Sequence, residues 1–307
     1  MSLSPPIETD EERLLRILKK VRRIELLTRG MVKETLGGAY HSRFKGQGIE
    51  FDDFREYQPG DDVRFLDWNV TARMNHPFVR KYIEERELTV ALLVDVSASA
   101  DYGSGEENKR ERAAALAAVF AFSAVQNQDK VSLMLGSERL EHFLPPSKGG
   151  SHALRCLRDI LYCRPQFKGT KLEVMMDIAL RRMMHRGLVV VVSDFLQPVE
   201  QWQHSMALLA AKHDVVAVQI CDPSEVDLPR VGRVTLRDPE TGLQAVVDTG
   251  SDRLRAAYHE ALSEHQRQLE AAFKRRGIEH LRLLDESDVV PALRAFFKRR
   301  QQGRRIA

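Results

Sequence analysis

Three short stretches of this sequence carry side-chain oxygens in types and spacings that chemistry could use. Asp95, Ser97 and Ser99 alternate in DVSAS, Thr170 follows Gly169, and Asp194 lies in Ser193-Asp194-Phe195. A carboxylate and two hydroxyls two residues apart can converge on one point from a single tight turn. The set is oxygen-only, which suits a divalent cation of the Mg2+, Mn2+ or Ca2+ kind, Mg2+ first, and does not suit zinc. The histidines offer no competing site: His41, His76, His152 and His185 have no partner at metal-binding spacing.

For these oxygens to meet, the fold must bring three distant stretches to one edge. Thr89 to Val94, TVALLV, is apolar without alternation, the pattern of a strand covered on both faces in a parallel sheet. Leu188 to Val192 repeats the pattern and also ends in hydroxyl and acid. Around them strand and helix alternate. Helices are expected at 109–127, 152–163, from Gly169-Thr170, and at 200–213, 253–276 and 288–302; strands are expected at 130–136, 215–220 and 280–284. Repeated β-α-β units imply parallel strands and right-handed crossovers, hence a doubly wound, mostly parallel α/β sheet of Rossmann-like topology. Ligands of such sheets bind in the crevice at the carboxyl ends of the strands. Asp95, Ser97, Ser99 and Asp194 fall there, with Thr170 at a helix start. Val231 to Arg237 and Leu243 to Asp248, separated by DPETG, read as a small β-hairpin inserted at about 231–248.

Ahead of the sheet, apolar residues at helical spacing predict an amphipathic helix over 10–29. From 37 to 87 aromatics (Phe51, Phe54, Tyr57, Phe65, Trp68) interleave with opposed charges. That predicts a compact, mostly irregular cap ending in a strand over 78–87, or, on the sharper reading, a docking surface for a partner. The expected division is therefore 1–87, helix and cap, and 88–307, the sheet domain.

At 307 residues, 43% apolar and 30% charged, the chain is long enough for a substantial core in one or two domains. A net charge of +3 does not argue for nucleic acid. The basic clusters at Lys19, Lys20, Arg22 and Arg23 and at Lys298, Arg299, Arg300, Arg304 and Arg305 read as solvated helix faces. Cys156, Cys163 and Cys221 are an odd count without CxxC, which predicts core thiols in a reducing compartment. The first residues, MSLSPPIETDEERLL, are acidic where a secretory signal is basic. The longest apolar run, Ala113 to Phe122, is well short of the roughly 20 residues that span a bilayer. The expectation is a cytoplasmic protein with no membrane span and no nucleic-acid partner.

DxSxS, then a threonine, then an aspartate, in that order on this fold, resembles the metal-ion-dependent adhesion site of von Willebrand factor A domains, from about Leu88 onward. The stretch GQGIEFDDFREYQPGDDVRFLDWNVTARMNHPFVRKYIEERE, running directly into the DVSAS strand, is similar to the bacterial family called domain of unknown function 58, and this similarity covers nearly the whole chain. The resemblance implies that the Ser97 and Ser99 hydroxyls are direct ligands of a divalent cation. Asp95 and Asp194 would act largely through bound waters, and Thr170 directly or through water. Members of that family are commonly encoded beside MoxR-type AAA+ ATPases, which implies such an ATPase as partner. With few formal charges around it, the cation would accept a partner's carboxylate as its remaining ligand.

The function this implies is a non-enzymatic, metal-dependent protein-interaction module. The alternative is a Mg2+-dependent phosphohydrolase with Asp95 as nucleophile. That chemistry wants a second aspartate two residues on as general acid, where this chain has Ser97. Nucleotide binding lacks both a GxGxxG turn after the first strand and a Walker A sequence. If the cap shields the site, Asp61 or Asp62 is expected to fill the open coordination position.

Overall fold

A computed structural model describes residues 50–284, apart from 60, 75 and 84–87, together with Leu15, Lys19, Ala292, Leu293, Ala295 and Phe296. The expected helices at 10–29 and 288–302 lie outside the described residues, save those single positions, which are helical. The chain divides into two compact units, His41–Glu87 and a larger one containing Leu88–Ala307.

In the smaller unit, β1 (Glu50–Glu56) pairs antiparallel with β2 (Phe78–Ile83). Between them lie a 3-10 turn, Val63–Phe65, capped by Asp62, and α1 (Trp68–Met74). The buried Asp67 carboxylate accepts the Asn69 and Val70 amides at 2.9 and 3.1 Å and so starts α1. This segment is thus more regular than expected. The β1 ladder slips between Phe51 and Asp53, and a bulge there erases the period-two pattern that marks a strand in sequence.

The larger unit is built on six strands: β3 (Thr89–Asp95), β4 (Lys130–Gly136), β5 (Leu140–Ser147), β6 (Leu188–Ser193), β7 (Asp214–Ile220) and, after a separate hairpin of β8 (Arg233–Arg237) and β9 (Gln244–Asp248), β10 (Glu279–Leu283). Their order is β10-β7-β6-β3-β4-β5. All pairings in it are parallel except that of β5, which runs antiparallel along the edge of β4. The expected doubly wound α/β fold is the observed one. β5 is an addition to it, and it contains Pro145 and Pro146; an edge strand tolerates proline since one side of it needs no donors.

Strand β3 is buried from Val90 through Asp95, so its successive side chains serve two different cores. Ala91 and Leu93 join Val189, Val191 and Ala217 against Met175 and Met176 of α4 (Leu172–Arg182), Trp202 of α5 (Val199–Lys212) and Phe273 of α6 (Asp252–Arg275). On the opposite side α2 (Lys109–Gln126) contacts β3, β4 and α3 (Gly150–Tyr162) through an alanine-rich body that is wholly buried. Small side chains let that helix lie close to the sheet. Each fully buried Val or Leu contributes about 1.5–3 kcal/mol. The first turn of α2 is unexpected, since Lys109, Arg110, Glu111 and Arg112 are as buried as the alanines behind them.

Candidate metal centre

In chain order β3 and β6 are the first and fourth strands of the six-stranded sheet, yet they lie side by side, and the course of the chain through the sheet reverses between them. That is the topological switch point, where doubly wound folds open their ligand crevice. Parallel register carries β3 and β6 together to Val94↔Val192, so Asp95 and Ser193 come next at the same edge.

Asp95 is held from two sides. Its Oδ2 accepts the Ser193 hydroxyl at 2.8 Å and its Oδ1 accepts the Ser97 amide at 2.9 Å. The Ser97 and Ser99 hydroxyls lie 3.0 Å apart, both buried. Two backbone bonds fix this turn: Val96 N to Gly136 O and Ala98 N to Lys168 O, each 2.9 Å. A side chain at Gly136 would put its Cβ 2.2 Å from Met175 Cγ, so any larger residue at the end of β4 would force the Met175 side chain of α4 aside. The Ala98 bond draws in the loop that carries Thr170.

Asp194, one residue beyond β6, accepts the Lys109 ammonium at 2.9 Å, and the same ammonium reaches Glu225 at 2.7 Å. Arg110 and Arg112, also on the first turn of α2, donate to Val96 O and Cys221 O at 3.0 and 2.8 Å. The buried charges at the helix start therefore satisfy the ends of β3 and β7. A cavity of about 20 Å³, lined among others by Asp95, Ser99, Lys109, Ser193 and Asp194, lies among these groups with room for one water or ion.

Electrostatics follow from burial. The Asp95 carboxyl is pushed up to about 6, by desolvation first and the nearby Asp194 charge second, against the hydrogen bonds from Ser97 and Ser193. Burial alone would lower the Lys109 ammonium; the charges of Asp194 and Glu225 outweigh it and hold it above its ordinary value. The backbone that presents Asp194 is strained: Phe195 has φ of +54°, a region an aromatic residue rarely enters. Phe195 is held there by edge contacts with Trp202 and Phe273 at 5.5 and 5.4 Å and by His265 Nε2 donating to its carbonyl at 2.7 Å.

Four of the five expected ligands, Asp95, Ser97, Ser99 and Asp194, thus line one small region at the switch point. Thr170 stands differently. It precedes the Lys171 cap of α4 rather than opening the helix, and its hydroxyl and amide donate to Glu240 Oε1 and Oε2 at 2.7 and 3.1 Å. Asp61 and Asp62 have partners inside their own unit, Arg55 at 2.7 Å and Arg64 at 2.6 Å. Among the described residues no group of three His, Cys, Asp or Glu side chains could hold a metal, so a cation here would depend on the hydroxyls. The donor set fits one: hydroxyls paired in a buried turn, a carboxyl destabilised as an anion by its surroundings, and a void of ionic size. Lys109 is the departure, because it already gives Asp194 one positive charge. Both Asp95 oxygens are occupied as acceptors, and Ser97 stands where a phosphohydrolase needs its general acid.

Sequence reasoning missed Lys109, Ser193 and Glu240. Ser193 had a signal, a hydroxyl ending a second buried strand. Lys109 had a weaker one, a charged first turn on a helix otherwise apolar all round.

The sequence matches the model of the family described as protein of unknown function DUF58 over residues 53–268. The chain belongs to the DUF58 family. Uncharacterized proteins of Mycobacterium tuberculosis and Mycobacterium bovis are each 33% identical to this DUF58 chain over 287 residues, 92% of its length and 89% of theirs. Among solved structures it is similar to the conserved hypothetical protein BatB from Bacteroides thetaiotaomicron (15% identity, TM-score 0.45, covering 70% of this chain and 99% of that one). It is also similar to a von Willebrand factor type A protein from Catenulispora acidiphila (13%, TM-score 0.34, 59% and 43%). At such scores the fold rests on its own strand order. The family match in this DUF58 chain includes the turn at Asp95, the loop at Thr170, Asp194 and Glu240.

Proposed function

We propose that this DUF58 chain is a protein-interaction module that takes an acidic side chain of a partner at a divalent cation held by Asp95, Ser97, Ser99, Thr170 and Asp194. The observation that carries this reading is the meeting of the Asp95–Ser99 turn with Ser193-Asp194 at the switch point, around a void of about 20 Å³. A bound cation of the Mg2+ class would supply an electrophilic point of low net charge, open to one further carboxylate. The chain's own groups do the positioning. Ser193 and the Ser97 amide orient Asp95, the Asp95–Ser99 turn places two hydroxyls together, and Lys109 keeps Asp194 from swinging outward.

The partner we favour is a MoxR-type AAA+ ATPase, on the family resemblance, and the compartment is the cytoplasm. Free thiols at Cys156, Cys163 and Cys221 support a reducing compartment. No described helix is long and apolar enough to cross a membrane. Calorimetric titration with Mg2+ and Mn2+ tests the metal half: saturable heat is expected from the wild type and none from Asp95→Ala, and no saturable heat from the wild type overturns it. Pull-down of the ATPase with Ser97→Ala tests the partner half. Loss of capture is expected; capture equal to wild type would separate the partner from the site.

A further inference from the structure

The tip of the β8–β9 hairpin is built around Asp238. Its carboxylate accepts the Glu240 amide at 2.9 Å and the Thr241 hydroxyl, its own amide donates to Leu243 O at 2.9 Å, and its carbonyl accepts Gly242 N at 2.8 Å. Gly242, with φ of +74°, closes the turn in a conformation that glycine adopts without strain. Asp238, Pro239, Thr241 and Gly242 are exposed, whereas Glu240 between them is half-buried. Its two oxygens lie on the amide and hydroxyl of Thr170, 70 residues away in the chain. An ordered turn therefore delivers one carboxylate onto Thr170, one of the five expected ligands.

The chemistry of that contact is specific. An N–H and an O–H gripping the two oxygens of one carboxylate form a charge-assisted, two-point arrangement, and any Asp or Glu side chain would satisfy it equally. By donating its proton, Thr170 keeps its oxygen lone pairs free, so the contact is compatible with a ligand role for the same hydroxyl. A partner's acid arriving at this place meets an internal competitor.

We propose that Glu240 is the resident acid of this site, occupying the position at Thr170 that a partner's carboxylate takes, so that partner binding displaces the hairpin tip. The inference rests on the reading that the site receives an acid. A competitor that keeps the tip closed nine-tenths of the time or more weakens an incoming acid by about tenfold or more. Removing its charge should return that factor.

The test uses acetate as the probe and the Thr170 amide resonance as the readout, on the whole chain, in wild type, Glu240→Ala and Glu240→Gln. Each is titrated with and without Mg2+, and Mg2+ binding is measured separately by calorimetry. Glu240→Gln keeps the size of the side chain and so guards against a turn that has only lost its shape. Both variants are expected to show a saturable Thr170 shift at acetate concentrations at least tenfold below those the wild type needs. Equal acetate dependence in all three proteins, or none in any, overturns the inference while leaving a calorimetric Mg2+ signal to stand on its own. A Thr170 response in the variants that is as strong without Mg2+ supports the resident acid and removes the cation from its recognition.

Discussion

Lys109 is where the candidate centre departs from a plain oxygen site. Its ammonium sits between Asp194 and Glu225, at 2.9 and 2.7 Å, with only 3% of the side chain exposed. Deleting one member of a buried charge set leaves the others uncompensated, which costs about 3–5 kcal/mol. Lys109→Met should therefore lower the free energy of unfolding in urea by about that amount. It also removes the positive charge that Asp194 shares with any cation, so added Mg2+ should raise the melting temperature of the variant by more than that of the wild type. Equal Mg2+ effects on the two would show that Asp194 and the cation do not interact. The Asp95 carboxyl, pushed up to about 6 by burial and by Asp194, belongs to the same balance of charges.

Among the elements, the strand-end turns hold the carboxyl edge of the sheet in place. After β6 the chain enters the left-handed region at Phe195, a local cost of about 1–3 kcal/mol offset by the aromatic packing of Phe195, Trp202 and Phe273. Phe195→Ala removes that packing and keeps the strain. It should destabilise the protein by about 3–5 kcal/mol, measured by chemical denaturation, and should weaken Mg2+ binding, because Ser193 and Asp194 lose the turn that presents them. A variant that loses stability yet binds Mg2+ as the wild type does would show that the turn and the site are independent. The β8–β9 hairpin stands outside the six-stranded sheet, and Glu240 ties its tip to Thr170 in the loop before α4.

For the protein in its entirety, the buried titrating groups set the acid side of the stability curve. His213 is brought down to about 4, by burial first and then by Lys212 and Arg186; His280, likewise by burial with Arg282, also reaches about 4 against the opposing charge of Glu270. Between the ordinary value near 6.5 and about 4 the unfolded chain binds protons at these two histidines that the folded one refuses, so their contribution falls as pH drops through that window, while Asp95, held at about 6, takes up its proton first in the folded state and offsets part of the loss. Below it a second loss begins. Burial would raise Asp222, but hydrogen bonds from the hydroxyls and amides of Ser104 and Ser224 outweigh it and hold the carboxyl at about 2. Its contribution is present above the ordinary carboxylate range and is lost as pH falls toward 2. Urea midpoints measured from about pH 7 to about pH 3 should decline from about 6.5, and His213→Gln should flatten the upper part of the decline. An unchanged slope in that variant would assign the decline to other groups.

The alternation of buried strands and helices could be read directly because burial on both faces leaves an unbroken apolar run, as in TVALLV and LVVVVS, and a half-buried helix leaves a periodic one. The chain order of strands, and with it the carboxyl-edge position of Asp95 and Asp194, follows from those patterns together with the handedness of crossovers. Strand β5 stayed hidden because an edge carries little burial and admits proline. The burial of Lys109, Arg110, Glu111 and Arg112 stayed hidden because charge at a helix start looks the same in sequence whether it faces water or caps strand-end carbonyls. Glu240 is the clearest case. Periodicity reports how a residue faces its own element, whereas a contact spanning 70 residues exists only once the hairpin and the loop before α4 have each been placed by their own packing, and that packing is decided in three dimensions.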